Sequence, residues 1–512
     1  MSDNGSTSRG ASTFALICAG AAVAIAAYAV YQRVYVVKAK STAAYKLEEF
    51  RKAASTPLSK LRSISNALCT EMHAGLIKDG GSRLKMLISY VDELPNGHER
   101  GVFYALDLGG TNFRVMRVKL AGKAKRVDKS ESIEVSIPPE AMLGTSEELF
   151  DFIANEVAKF QKTEGPEYGS LPPGQKRELG FTFSFPCNQT AIDGGTLVRW
   201  TKGFKVSGTV GKDVVKLLTE ALTRKGVDMR VAALVNDTVG TLAGGRYNNN
   251  DVMVGLILGT GSNACYVEDI HDIPKWTGGP VESGEMVINM EWGDFYSAHL
   301  PITDVDRELD EVSVNPGEQP FEKLISGMYL GEIVRRVLLK LAEEGEIFDG
   351  VTEKLRERFV LKTPDISQAH GDQTVDLTAV GRMLKNRFGI EKSTKEEREL
   401  VVDLIETVVE RGARLAGAGI VGVLKKIGRD GSSKRFSSSQ KLNARLTAGA
   451  PTVVGVDGGL FEHYAFFRNT MQGTIGQLLG DNAKLVSLEL TKDGSGIGAA
   501  LLAATYSKYK TK

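Results

Sequence analysis

The stretch VFYALDLGGTNFRVMRVKL, residues 102–120, holds two apolar, β-rich runs on either side of Gly109–Gly110. Two such runs around a Gly-Gly turn predict a β-hairpin. MVGLILGTGSNACYV at 253–267 repeats the design, and TVVGVDGGLF at 452–461 begins like a third copy. The second half of the chain therefore echoes the first, although little beyond the turns is shared. Helical patterns alternate with these strands, at 42–93, 147–162, 211–225, 320–344 and 395–427. In the first, Pro57 sits in an opening turn ahead of Leu58, Leu61, Leu68 and Met72. In the fourth, Leu330, Ile333, Val334, Val337, Leu338 and Leu341 fall at helical spacing. Duplicated hairpins among helices predict a two-lobed α/β protein.

The bulk numbers agree. A chain of 512 residues is too long for one core and suits two domains. A formal net charge of +1 gives no footprint for nucleic acid. Cys18, Cys69, Cys187 and Cys265 are scattered, which argues against a zinc site or a disulfide framework and for a reducing compartment. The 56 glycines cluster, as at Gly244–Gly245, Gly458–Gly459 and Gly494/Gly496/Gly498, and we expect turns that bring backbone up to a ligand.

Residues 14–31, FALICAGAAVAIAAYAVY, carry no charge and are followed by Arg33, Lys38 and Lys40. That run just reaches spanning length, and the cations after it favour a cytosolic C-terminal body. We expect 1–41 to be an N-terminal membrane anchor, with a cleaved targeting peptide as the alternative. The segment 428–451 is too poor in apolar residues to pack and predicts a mobile basic loop.

The turns suggest chemistry. LDLGGTN at 106–112 ends a strand in Asp107 and follows it with Gly109 and Gly110, whose missing Cβ atoms let N–H groups point at an anion. Thr111 and Asn112 add side-chain donors. Asp107 beside a phosphate makes sense with a cation such as Mg²⁺ between them. LGTGSN at 258–263 offers a second cradle with Thr260, and GVDGG at 455–459 a third turn. There is no GxxxxGK[ST], so this is not a P-loop. GTGSNA fits a dinucleotide fingerprint, but CYV continues as strand where that fingerprint needs a helix.

Polar residues also interrupt apolar runs. They are Ser184 in GFTFSFP (180–186), Thr201 and Lys202 in WTKGF (200–204), and Asn236–Asp237 after the strand-like VAALV. Asn263, Glu291 in VINMEWGDF (287–295) and Glu322 in EQPFEKL (318–324) complete the set. Each has a dull reading taken singly: Glu322 could complement a helix N-terminus, Glu291 and Asn289 could face water, and Lys202 could be a solvated loop lysine. Together they supply the donors and acceptors that a polyhydroxyl ligand needs.

LDLGGTNFR, LGFTFSFP, WTKGF, NDTVGTLAG, LGTGSNACY, MVINMEWGDF and GVDGGLFEHY resemble the eukaryotic hexokinases, the plant type with an N-terminal anchor above all, from about residue 45 to 506. The resemblance implies a two-lobed actin-like ATPase (ribonuclease H-like) fold with an interdomain cleft. It implies a first half at 42–245, mostly small lobe, and a second half at 246–507, the large lobe. It implies ATP-dependent phosphorylation of the 6-hydroxyl of a hexose, glucose first, with Mg²⁺ and by a monomer. Asp237 would be the general base; Ser184, Thr201, Lys202, Asn236, Asn263, Glu291 and Glu322 would join it around the sugar. Asp107, Gly109, Gly110, Thr111, Asn112 and Thr260 would serve the nucleotide phosphates, and Gly422 the base. No side chain is implied to ligate a metal directly. The plant type points to the outer mitochondrial membrane, facing the cytosol, with a plastid as the alternative. The main rival is a catalytically weak sugar sensor on the same fold; an actin- or chaperone-like ATPase would leave GFTFSFP and WTKGF without a purpose.

Overall fold

The computed structural model describes residues 42–123, 125–348, 352–431 and 450–509. The stretch at 102–120 forms the expected hairpin, strands Arg100–Leu108 and Asn112–Ala121. Val127–Ser136 adds a third antiparallel strand outside it. On the other side, Arg177–Phe183 pairs parallel with Arg100–Leu108, and Met229–Val235 pairs parallel with Arg177–Phe183. Parallel strands are covered on both faces and read as continuous apolar runs. Arg177–Phe183 is accordingly buried at every position.

The second sheet repeats this order. Val252–Leu258, Ser262–Asp269 and Glu285–Asn289 form an antiparallel meander, and Thr452–Asp457 and Val486–Leu490 follow as parallel strands on the far side. The repeat inferred from the turns is thus a repeat of topology. The third copy at 452–461 is not a hairpin, however. Its strand is flanked by parallel neighbours and passes straight into helix Gly459–His463. The turn is tight: Gly458 has φ 114°, and a Cβ there would lie 2.4 Å from the Leu258 carbonyl oxygen. The helical pattern at 320–344 also divides, into Pro320–Ile325 and Leu330–Glu343, and helix in 42–93 ends at Ile77.

Two helices lock the sheets together. Helix Asp237–Asn248 follows the last strand of the first sheet yet packs on Val252–Leu258 of the second. Helix Gly494–Thr505 follows the second sheet yet packs on Arg100–Leu108 and Arg177–Phe183 of the first. They cross at glycine: a Cβ on Gly498 would lie 1.8 Å from the Gly240 carbonyl oxygen, and one on Gly180 would lie 2.0 Å from that of Ala499. The glycines at 494–498 and 244–245 therefore chiefly serve close packing of backbones, which corrects the expectation of ligand turns there.

Halves in sequence are not bodies in space. Helix Leu58–Ile77 lies on helix Lys395–Lys426, where Ser65 Oγ donates to the Ala418 carbonyl at 2.8 Å. Strand Leu87–Ile88 caps the edge of the second sheet by pairing with Glu285–Asn289. Residues 42–93 thus belong with the second half, because their apolar face finds its partner there. The segment 14–31 and most of the 428–451 loop lie outside the described residues. Among the described residues no helix is long and apolar enough to cross a membrane.

Candidate active site

Asp237 stands at the first position of helix Asp237–Asn248, one residue past the N-cap Asn236. Asn236 Oδ1 accepts from the Thr238 N–H at 3.0 Å and from Thr238 Oγ1 at 2.7 Å. Asp237 Oδ1 accepts from the same N–H at 2.8 Å. Strand, cap and helix start therefore fix the carboxylate, and the positive end of the helix favours its charge. Burial works the other way and raises its pKa; Lys202, the Thr238 N–H and Ser184 oppose that rise.

Asp237 borders a cavity of about 230 Å³ between the two sheets. The first half contributes Asp107, Gly109, Ser184 and Lys202 beside it. The second half contributes Ile257, Asp457, Gly458 and Ser495. Lys202 takes φ 56° and reaches back so that its Nζ donates to the carbonyls of Gly109 at 2.6 Å and Ser184 at 3.0 Å. It is a brace between the WTKGF loop and the first turn rather than a free surface cation. Asp107 Oδ2 accepts from Ser495 Oγ at 3.0 Å. Burial first, then the negative charge of Asp237, pushes the Asp107 carboxyl up to about 6.

Ser495 and Asp457 were not among the predicted residues. Asp457 accepts from the Gly458 N–H at 2.7 Å and the Gly494 N–H at 2.9 Å, tying the second sheet's turn to the start of the crossing helix. The signal for both was present in GVDGG and in the GSG at 494–496. Only the tertiary crossing brings Ser495 to Asp107, nearly four hundred residues away.

A second polar group adjoins the first. Asn263 Nδ2 donates to Asn289 Oδ1 at 2.9 Å and to Glu291 Oε1 at 3.1 Å. Asn289 Nδ2 donates to the same Glu291 oxygen at 2.9 Å. Glu291 sits past the end of its strand with φ 54°, a strained position for a side-chain-bearing residue and common at functional sites. Glu322, in the first turn of Pro320–Ile325, accepts from the Ser262 N–H at 2.8 Å. Burial raises the pKa of both glutamates; Asp237 raises that of Glu291 further, Glu291 raises that of Glu322, and Lys202 lowers each. Asn289 is buried and the Glu291 carboxylate is held by the amides of Asn263 and Asn289, so the water-facing reading of the two does not hold.

The remaining predicted residues divide. Trp200 stacks on Phe204 with centroids 5.1 Å apart, which fixes the loop carrying half-buried Thr201. Gly110 lies open beside Gly109, with nothing within 4 Å of an added Cβ, and Thr111 is exposed at the same turn. Thr260 is exposed, and its carbonyl accepts from the Met328 N–H at 3.0 Å. Asn112 departs from expectation: its amide donates to Glu134 at 2.6 Å and accepts from Ser136 at 2.8 Å, so it is turned to the adjacent strand. Gly422 departs furthest. It is buried between helices, and a Cβ there would meet Leu68 Cδ2 at 2.8 Å. It is a packing glycine in the seam of two helices, against the base role that the resemblance implied.

A family model described as Hexokinase matches residues 46–247, and a second Hexokinase model matches residues 253–505. The chain belongs to the hexokinase family. It is 55% identical over 498 residues to Hexokinase-1 of Spinacia oleracea, covering 97% of each chain. It is 54% identical over 496 residues to Hexokinase-2 of Arabidopsis thaliana, covering 96% of each. Among solved structures it resembles the hexokinase from Schistosoma mansoni complexed with glucose, with a TM-score of 0.78 and 36% identity over 90% of this chain and 98% of that one. The two-lobed, actin-like architecture of hexokinases is therefore its architecture.

Proposed function

We infer that this hexokinase transfers the γ-phosphoryl group of ATP to the 6-hydroxyl of a hexose, glucose first, as an entry step of glycolysis. The observation that carries the reading is Asp237. Its carboxylate is fixed at a helix start, is opposed by Ser184 and Lys202, and borders the cavity that both halves line. In this role Asp237 accepts the hydroxyl proton as the oxygen attacks phosphorus. Ser184, Thr201, Lys202, Asn236, Asn263, Glu291 and Glu322 supply donors and acceptors to the sugar. Gly109, Gly110, Thr111 and Thr260 receive the phosphates.

Mg²⁺ fits beside Asp107, an acceptor carboxylate whose ionisation is opposed by burial and by Asp237. Bound there with ATP, the ion would supply positive charge to the phosphoryl oxygens. Ser495 holds Asp107 in place. Because the sugar groups come from two bodies, sugar binding should draw the bodies together and exclude water as a competing acceptor.

A coupled assay with glucose and Mg·ATP tests the reading, and steady product formation is expected. Sugar-dependent quenching of Trp200 and Trp292 without product would favour a sensor.

The free enzyme should also show an acidic limb. Burial pushes Asp107 up to about 6, so kcat/KM for Mg·ATP should fall as pH drops through about 6, measured at subsaturating Mg·ATP. Stability has the opposite sign. Between the ordinary carboxylate range and about 6 the native state holds more protons than the unfolded one, so stability falls as pH rises through that window. Asp107→Asn should therefore stabilise the protein at pH 7.5 by roughly 3 kcal/mol, with the gain shrinking toward pH 4 in urea melts.

The apolar run at 14–31 would hold the enzyme to a membrane with its body in the cytosol, the outer mitochondrial membrane before a plastid. A fluorescent fusion of residues 1–45 that stayed diffuse would remove this part of the proposal.

A further inference from the structure

We propose that Arg199 and Glu318 form a clamp across the sugar end of the cleft and set hexose affinity without taking part in the chemistry. The pair is bidentate, Nη1 to Oε1 at 2.7 Å and Nη2 to Oε2 at 2.8 Å. A forked guanidinium–carboxylate pair fixes orientation as well as distance. The inference deepens the hexose-kinase reading and rests on it.

The two arms belong to different cores. Arg199 directly precedes Trp200–Thr201–Lys202, and Trp200 packs against the core beneath the first sheet. Trp200 Nε1 donates to Thr209 Oγ1 at 2.6 Å, so the arm has a rigid root. Glu318 stands four residues before Glu322, and Phe321 between them is fully buried in the core of the second body.

The Glu318 arm is braced on every side. The Gly317 N–H donates to Asp310 Oδ2 at 2.9 Å, and the Gly317 carbonyl accepts from Arg83 Nη2 at 2.8 Å. The Gln319 N–H donates to Asp294 Oδ1 at 3.1 Å. Lys323, itself held by Asp310, donates to the Asn315 carbonyl at 2.8 Å. A carboxylate on so fixed a loop cannot follow its partner by side-chain motion alone, so the ion pair joins body to body.

The consequence is thermodynamic. Drawing the WTKGF loop toward Glu322 prepays part of the closure that sugar binding requires, and preorganisation of this kind raises affinity. The nucleotide end of the cavity is bridged separately, by Ser495 Oγ to Asp107 at 3.0 Å and by Arg114 Nη1 to Asp493 Oδ1 at 2.8 Å, so the clamp acts on the sugar end. Both side chains are about two-fifths exposed, 42% and 39%, so salt should weaken the clamp.

The test uses the full chain with Arg199→Gln, Glu318→Gln and the charge-exchanged R199E/E318R. Each single variant should raise the KM and the fluorescence-derived Kd for glucose about two- to fivefold, the range of a partly exposed ion pair. The KM for ATP and kcat should stay within about twofold, since the pair touches neither reacting group. The exchanged pair should recover most of the lost affinity. Added KCl should raise the wild-type Kd for glucose more than that of either single variant. Unchanged glucose affinity in the single variants, or an exchanged pair no tighter than the weaker of them, would overturn the clamp. So would parallel losses in kcat and in the KM for ATP. Wild-type protein that binds glucose without phosphorylating it would instead sink the kinase reading, and the Kd series would still judge the clamp.

Discussion

Asp237→Ala is expected to lower kcat by at least about 10²–10⁴ while leaving much of the glucose affinity intact. The asymmetry follows from geometry. The proposed sugar contacts are spread over Ser184, Lys202, Asn263, Glu291 and Glu322, so loss of one acceptor would leave the others. Proton acceptance has no such redundancy. Asp107 is tied to Ser495 and held near half-protonation at pH 6, and Glu291 is committed to Asn263 and Asn289. Neither can stand in for a carboxylate fixed at the start of helix Asp237–Asn248. Removing Asp237 also relieves the repulsion on Asp107, so any residual activity should show its acidic limb moved to lower pH. Quench-flow with saturating glucose and Mg·ATP measures the chemical step; near-normal turnover would take Asp237 out of the base role.

Gly498→Ala should be among the most damaging single substitutions outside the cavity. An added Cβ would lie 1.8 Å from the Gly240 carbonyl oxygen, and backbone cannot step aside as a side-chain tip can. Helix Gly494–Thr505 would have to lift from helix Asp237–Asn248. We expect a loss of about 3 kcal/mol or more, at the upper end of overpacking. Activity should fall as well, because Ser495 rides on the displaced helix and positions Asp107. Gly473→Ala makes the contrast: that glycine is mid-helix in Ala465–Leu479 with nothing within 4 Å, so alanine should stabilise by about 0.5–1 kcal/mol. Urea midpoints for both variants measure the difference. Equal effects would mean the crossing is looser than its glycines require.

Local chemistry was legible in the sequence where it coincided with local structure. The Gly109–Gly110 hairpin, the strand before Asn236–Asp237 and the Glu322 helix start each announce themselves within ten residues. Glycines were ambiguous, because a missing Cβ serves a ligand turn and a helix crossing equally well. Gly109 borders the cavity, whereas Gly422 and Gly498 admit neighbouring backbone or side chains. Asn112 misled for a related reason: its partners Glu134 and Ser136 lie on a strand whose register no turn motif declares. The topology of residues 452–461 was hidden because a strand–Gly-Gly signal does not say whether the next strand returns antiparallel or a helix intervenes. Contacts made by the crossing, Ser495 with Asp107 above all, need the assembled sheets.

The central claim is that one ionised carboxylate faces the sugar hydroxyl that becomes phosphorylated. A structure of the full chain with glucose and a non-hydrolysable Mg·ATP analogue addresses it most directly. The 6-hydroxyl oxygen should lie within about 3.2 Å of an Asp237 carboxylate oxygen and point toward the γ-phosphorus. A sugar bound with that hydroxyl turned from Asp237, and another side chain in its place, would contradict the account.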